Sequence, residues 1–145
     1  MSKDQIEYRT GYDSKWIQQA FDLYNLAGLK RDNIIRVGKA LENSAHVISA
    51  WRDSALVGIG RVLSDEVMYA SIFDVAVLPN YQKRGIGRGI MTRLLATVPE
   101  ACVHLTSTFG NEEFYQSLGF RYHKTAMALY PERLRQSPYL ADPQP

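Results

Sequence analysis

The sequence predicts an α/β chain of the mixed α+β kind, with a central, mostly antiparallel sheet and helices on both faces. Two apolar runs flank the polar turn Asp53-Ser54-Ala55 and read as a hairpin. Further on, a strand pattern ending at Leu78 leads through a glycine-rich turn into an amphipathic helix and then a second strand pattern. That β-α-β crossover requires a parallel pair inside the same sheet. At 145 residues, one domain spanning 1–145 is expected.

The elements follow in order. Ile6 to Arg9 reads as a short opening strand. From Lys15 to Ala27, Trp16, Ile17, Ala20, Phe21, Tyr24 and Ala27 recur at helical spacing, and Gly28 ends the run. A second helix is expected over Ile34–Glu42. Strands follow at His46–Arg52 and Leu56–Leu63, then a turn at Ser64-Asp65-Glu66 and a long strand over Val67–Leu78. Its second half is apolar on both faces, so a central, doubly covered position is expected. Ile86, Ile90, Leu94 and Met91, Leu95, Val98 define the crossover helix, which Pro99 closes. Cys102–Thr108 reads as a strand, Asn111–Leu118 as a short helix stopped by Gly119, and Arg121–Tyr130 as a last strand or strand pair. Four prolines make 131–145 a surface tail.

Composition narrows the function classes. A net charge of +2 gives no general nucleic-acid or membrane surface, although Lys83, Arg84, Arg88 and Arg93 cluster. The single cysteine, Cys102, is expected in the core of a reduced, cytoplasmic protein. Met1-Ser2-Lys3-Asp4-Gln5 lacks an apolar signal core, and no run approaches the ~20 apolar residues of a membrane span. His46, His104 and His123 are too scattered for a metal site, and His104 is expected to pack.

The chemistry concentrates in Gln82-Lys83-Arg84-Gly85-Ile86-Gly87-Arg88. Glycines let the chain turn tightly and leave N–H groups uncovered, and a helix N-terminus behind them favours anions. A phosphorylated ligand is therefore expected. A Walker A loop would end in Gly-Lys-Ser/Thr, which is missing. A dinucleotide fingerprint needs glycines at first, third and sixth positions, whereas here they stand at 85, 87 and 89.

Val75-Ala76-Val77-Leu78-Pro79 followed by Gln82-Lys83-Arg84-Gly85-Ile86-Gly87 resembles the coenzyme A signature of the GCN5-related N-acetyltransferases (GNAT). Asn111-Glu112-Glu113-Phe114-Tyr115-Gln116-Ser117-Leu118-Gly119-Phe120 is similar to that family's second landmark. The resemblance spans about residues 46 to 129. It implies the family's acyl-CoA N-acyltransferase fold, in which two central parallel strands splay apart to admit acetyl-CoA as co-substrate, with no metal. Backbone groups of Val75 and Val77 would hold the pantetheine arm beside a bulge. Gln82, Lys83, Arg84, Gly85, Ile86, Gly87 and Arg88 would hold the phosphates, and Asn111 would reach the pantetheine.

The resemblance also makes Tyr115 the proton donor to the leaving thiolate, a role that suits a phenol still protonated at neutral pH. Asp74 interrupts an apolar strand one residue before Val75. It is either the general base or a structural carboxylate, and it must be paired, hydrated or functional. Glu66 is a weaker second base. Tyr24, Asn25, Tyr69 and Phe73 are expected around the acceptor. The implied activity is acetyl transfer to a primary amine by direct attack, with a small-molecule acceptor favoured. A protein lysine or N-terminus and a non-catalytic acyl-CoA-binding module are the alternatives. No nucleic-acid or membrane partner is expected; the family's pairing through sheet edges makes a homodimer an option.

Overall fold

Five strands build a sheet in the order β1-β2-β3-β4-β5 in the computed structural model, which describes residues 5–144. Met1–Asp4, where the sequence shows no signal core, and Pro145 of the expected tail lie outside the described residues. The chain forms two units, residues 1–106 and 107–145. The first holds the whole sheet: β1 Glu7–Thr10, β2 His46–Arg52, β3 Ala55–Ser64, β4 Tyr69–Val77 and β5 Cys102–Leu105. Successive pairs are antiparallel until β4 and β5, which run parallel. Asp53 makes the β2–β3 turn tight by adopting φ +53°, a left-handed conformation that aspartate tolerates better than most residues.

Helices cover both faces, as the sequence predicts. A 3-10 turn, Ser14–Trp16, capped by Asp13 through Lys15 N–H at 2.9 Å, leads into α1, Ile17–Leu26. Asn33 caps α2, Ile34–Glu42, by accepting from the N–H groups of Ile35 and Arg36 at 3.0 and 3.1 Å. From these helices Leu23, Tyr24, Val37 and Leu41 pack into one core with Val47, Trp51, Leu56, Ile59 and Ala76 of the sheet. On the other face α3, Ile86–Thr97, lies directly over Gly58 and Gly60. A Cβ at Gly60 would fall 2.8 Å from Leu94 Cδ1 and 2.9 Å from Ile90 Cγ2. Two β3 residues without side chains thus let α3 approach closely and bring its first turn to the end of β4.

β4 is irregular where the chemistry was expected. It pairs with β5 only from Tyr69↔Cys102 to Ile72↔Leu105, while its pairing with β3 continues to Gly58↔Val77. From Phe73 onward one edge of β4 therefore has no β5 partner. In the same stretch Ile59 faces Ala76 and Arg61 faces Phe73, so Asp74 and Val75 together oppose Gly60. That is a β-bulge, with Asp74 at φ +56°. Coverage of this half is less complete than its apolar sequence suggests. Ala76 is buried, Val75 and Val77 are half-buried, and Phe73 is exposed.

Three expectations need correction. Residues 121–130 form no strand and are exposed apart from Tyr130. Their apolar residues run together at 126–130, but without a ladder or a buried face nothing offsets the entropy of ordering a strand. Cys102 and His104 are exposed rather than packed. β5 pairs on one side, and its half-buried residues are the alternate ones, Val103 and Leu105. The second unit holds only α4, Glu112–Ser117, and the 3-10 turn Glu132–Leu134. None of its described residues is buried.

Candidate active site

β4 alternation directs the Val77 N–H and C=O away from β3, because Leu78 N–H bonds back to Val57 O at 2.9 Å. Val77 thus faces the edge that β5 leaves unpaired, and Val75, two residues earlier, belongs to the bulge. The bulge re-aims the backbone at this point, with Asp74 at φ +56°. Gln82 folds back and donates from Nε2 to Val77 O at 3.0 Å, tying the turn to the strand end.

The turn itself is built from left-handed residues. Lys83 has φ +63° and Gly85 φ +83°. Gly85 is the N-cap of α3 and offers no side-chain cap, and the first helical bond is Gly89 N–H to Gly85 O at 3.0 Å. Ile86 and Gly87 N–H groups lie ahead of that bond, where an α-helix has no carbonyl to give them. The Ile86 side chain is buried under β3, so only its backbone serves the turn. Lys83, Arg84 and Arg88 are exposed around it. Arg84 stacks over Tyr81 at 5.2 Å, and Tyr81 accepts from Arg52 Nη1 at 3.0 Å. Arg52 is a cation at this end that motif reading missed. Its place at the end of β2, level with the end of β4, was recoverable from strand register.

Asp74 occupies the bulge with both oxygens engaged. Arg31 Nη2 donates to Oδ1 at 2.6 Å and Arg61 Nε to Oδ2 at 2.9 Å. Arg31 comes from the α1–α2 connection and also donates to Leu29 O at 3.1 Å; Arg61 comes from β3 and reaches Ser44 Oγ at 3.4 Å. Neither arginine was singled out from sequence. The signal was Asp74 itself, a carboxylate in an apolar strand that required partners. Glu66 is at the opposite end of β4, its Oε1 2.7 Å from His46 Nε2.

The expected acceptor residues are dispersed. Tyr24 is 1% exposed, a core residue rather than a pocket wall, and its buried hydroxyl has no hydrogen-bond partner among the described residues. Burial foremost, then the Asp74 charge, pushes its pKa up. Asn25 is exposed and donates to Phe21 O at 3.1 Å. Tyr69 is exposed beside the His104 ring at 6.5 Å. Phe73 lies under Arg61 at 5.6 Å and so does adjoin the Asp74 cluster.

In the second unit Asn111 precedes α4, donating from Nδ2 to Thr108 Oγ1 at 2.6 Å. Tyr115 is half-buried between Phe114 and Phe120, with ring centroids at 5.0 and 6.1 Å, and its burial raises the phenol pKa. Gly119 at φ +97° reverses the chain so that Phe120 N–H bonds Tyr115 O at 3.1 Å. Among the described residues no His, Cys, Asp and Glu side chains group to hold a metal ion, and no helix is long and apolar enough to cross a membrane.

Residues 43–122 match the family model for the GNAT acetyltransferase domain. The chain is 34% identical over 105 residues to an uncharacterized N-acetyltransferase of Prochlorococcus marinus, aligning 68% of this chain and 58% of that protein. It is 28% identical over 134 residues to a protein of Glycine max named as a histone acetyltransferase, with 81% of this chain and 56% of that protein covered. The chain therefore spans little more than half the length of these two relatives. A GNAT-family acetyltransferase from Streptococcus pneumoniae superposes with a TM-score of 0.77 at 29% identity, covering 88% of this chain and 99% of that one. By the match over its sheet, glycine turn and α4, this chain belongs to the GCN5-related N-acetyltransferase family.

Proposed function

We propose that the protein transfers an acetyl group from acetyl-CoA to a primary amine by direct attack. One observation carries the reading: the unpaired, bulged half of β4 runs straight into a turn whose N–H groups have no helical partner. That arrangement fits both ends of an elongated anionic ligand, an amide-bearing arm along the strand edge and phosphates at the turn. Val75 and Val77 would hold the arm, and the backbone of Gln82–Arg88, with the Lys83, Arg84 and Arg88 charges, would hold the phosphates. Asn111 would add a contact to the arm.

Acetyl-CoA supplies the activated acyl group. The chain's residues position it, exclude water and move protons. As the acceptor nitrogen bonds to the carbonyl carbon and the C–S bond breaks, Tyr115 gives its phenolic proton to the departing sulfur, and the surplus amine proton leaves to water. Burial favours this role, since it keeps the phenol protonated well past neutral pH. Asp74 is assigned to positioning rather than to proton acceptance, because both its oxygens already accept from guanidinium groups.

A small-molecule acceptor is the first reading, and a cytoplasmic setting goes with it. A protein acceptor is the second, and the name of the soybean relative favours it. Incubation with acetyl-CoA and a panel of small amines, lysine peptides and N-terminal peptides, with detection of the released CoA thiol, tests both. Turnover with at least one small amine is expected; acetyl-CoA binding without thiol release from any member would overturn the enzymatic reading.

A further inference from the structure

The Arg31–Asp74–Arg61 cluster carries more positive charge than its own pairing needs. One arginine would neutralise Asp74. Two leave a surplus of one positive charge around a carboxylate whose side chain is 15% exposed, with Arg61 at 14%. An uncompensated charge in so sheltered a place is costly unless a further anion or water completes it. Donors are also left over. Among the described residues, Arg31 uses two of its five N–H groups, on Leu29 O and Asp74, and Arg61 uses two, on Asp74 and Ser44 Oγ. The Arg31 side chain is 38% exposed, so one face of the cluster is open.

Its position adds the second half of the argument. Asp74 is the bulge residue immediately before Val75, where the acyl group would be held. Arg31 approaches from the α1–α2 connection and Tyr24 of α1 lies 6.0 Å below its guanidinium, so the cluster is on the α1–α2 side of the sheet. Val75, by contrast, points to the α3 side, its Cγ2 being 3.3 Å from where a Gly60 Cβ would stand. Phe73 braces Arg61 at 5.6 Å. A net positive lining repels an ammonium ion and draws an acidic group. The same field favours the neutral form of a nearby amine, the form that attacks.

Building on acetyl transfer at the β4 bulge, we propose that Arg31 and Arg61 select an acceptor amine that also bears an acidic group, a carboxylate or a phosphate. Asp74 fixes the two guanidinium planes in place, and the acceptor's anion completes the cluster.

Matched amines test this with one assay of CoA thiol release. Amino acids are compared with their carboxamides, and O-phosphoethanolamine with ethanolamine. The acidic member of at least one pair is expected to show a tenfold or greater advantage in kcat/KM, and the responding pair tells carboxylate from phosphate. In Arg31→Gln that advantage should shrink at least tenfold, mainly through KM, and Arg31→Lys should restore part of it. Calorimetric acetyl-CoA binding by both variants reports that they are folded. Equal or better turnover of the neutral member in every pair overturns the proposal while leaving the transferase reading intact. So does an acidic preference that Arg31→Gln leaves unchanged. Absence of turnover with every amine, acetyl-CoA being bound, overturns the transferase reading and this proposal with it.

Discussion

The two units of the chain carry their proposed functional residues on different kinds of support. Up to Thr106, the β4 edge, the glycine turn and the Asp74 cluster are held by a five-stranded sheet with buried helices on both faces. From Ser107 on, Tyr115 is held by a six-residue helix, two neighbouring phenylalanines and a glycine reversal, with no buried residue among those described. Positions that must align over many residues, a strand edge with a helix start, need a shared core to fix them. A single phenol can be oriented by local ring contacts. Removing core atoms should therefore damage the first unit far more than equivalent changes damage the second.

The largest effect is expected at Trp51, 3% exposed and edge-on to Trp16 at 5.6 Å. Trp51→Ala should cost about 3–5 kcal/mol of unfolding free energy by denaturant titration. A cost within 1 kcal/mol would show that the core of the first unit is not what holds the donor site. Tyr115→Phe should lower kcat about 100-fold with acetyl-CoA affinity and melting temperature near those of the parent. Activity that depends on this phenol should also fall only above the ordinary tyrosine range, because burial raises its pKa. Full turnover in the phenylalanine variant would leave Tyr115 as a packing residue.

Tyr24 gives a smaller effect of opposite sign. Its buried hydroxyl has no partner among the described residues, so Tyr24→Phe should stabilise the protein by about 1 kcal/mol at neutral pH. The folded-state pKa lies above the ordinary 10.0. Ionising Tyr24 is therefore harder in the folded than in the unfolded chain: stability is unaffected by this titration below pH 10 and falls as pH climbs from there toward the folded value. Alkaline unfolding of Tyr24→Phe should accordingly begin at higher pH than in the parent. Smallest of all, Met127→Ala at a side chain 96% exposed should change stability by less than about 0.5 kcal/mol. A larger loss would mean that residues 121–130 are covered in solution.

Much of the first unit was legible because its signals are local. The α2 bounds follow from the apolar spacing that starts at Ile34; the β2–β3 hairpin follows from the polar turn at Asp53. The crossover follows from Pro79, Gly85 and the helical period beyond them. Misreadings arose where a pattern needed a partner to become structure. Residues 121–130 read as a strand or strand pair but pair with nothing among the described residues. Cys102 and Tyr24 show that residue type alone does not say which side of an element meets the core or whether a phenol reaches a pocket.

What the sequence determined by itself was the succession of elements through α4 and the tight glycine turn ahead of α3, since φ preferences, caps and periodicity act within a few residues. Tertiary structure alone decided three things. It set where β5 stops pairing with β4, and it made Asp74 and Val75 together oppose Gly60. It also brought Arg31 and Arg61 to the two oxygens of Asp74. Those depend on register and on contacts between residues 13 and 43 positions apart, which no local preference encodes.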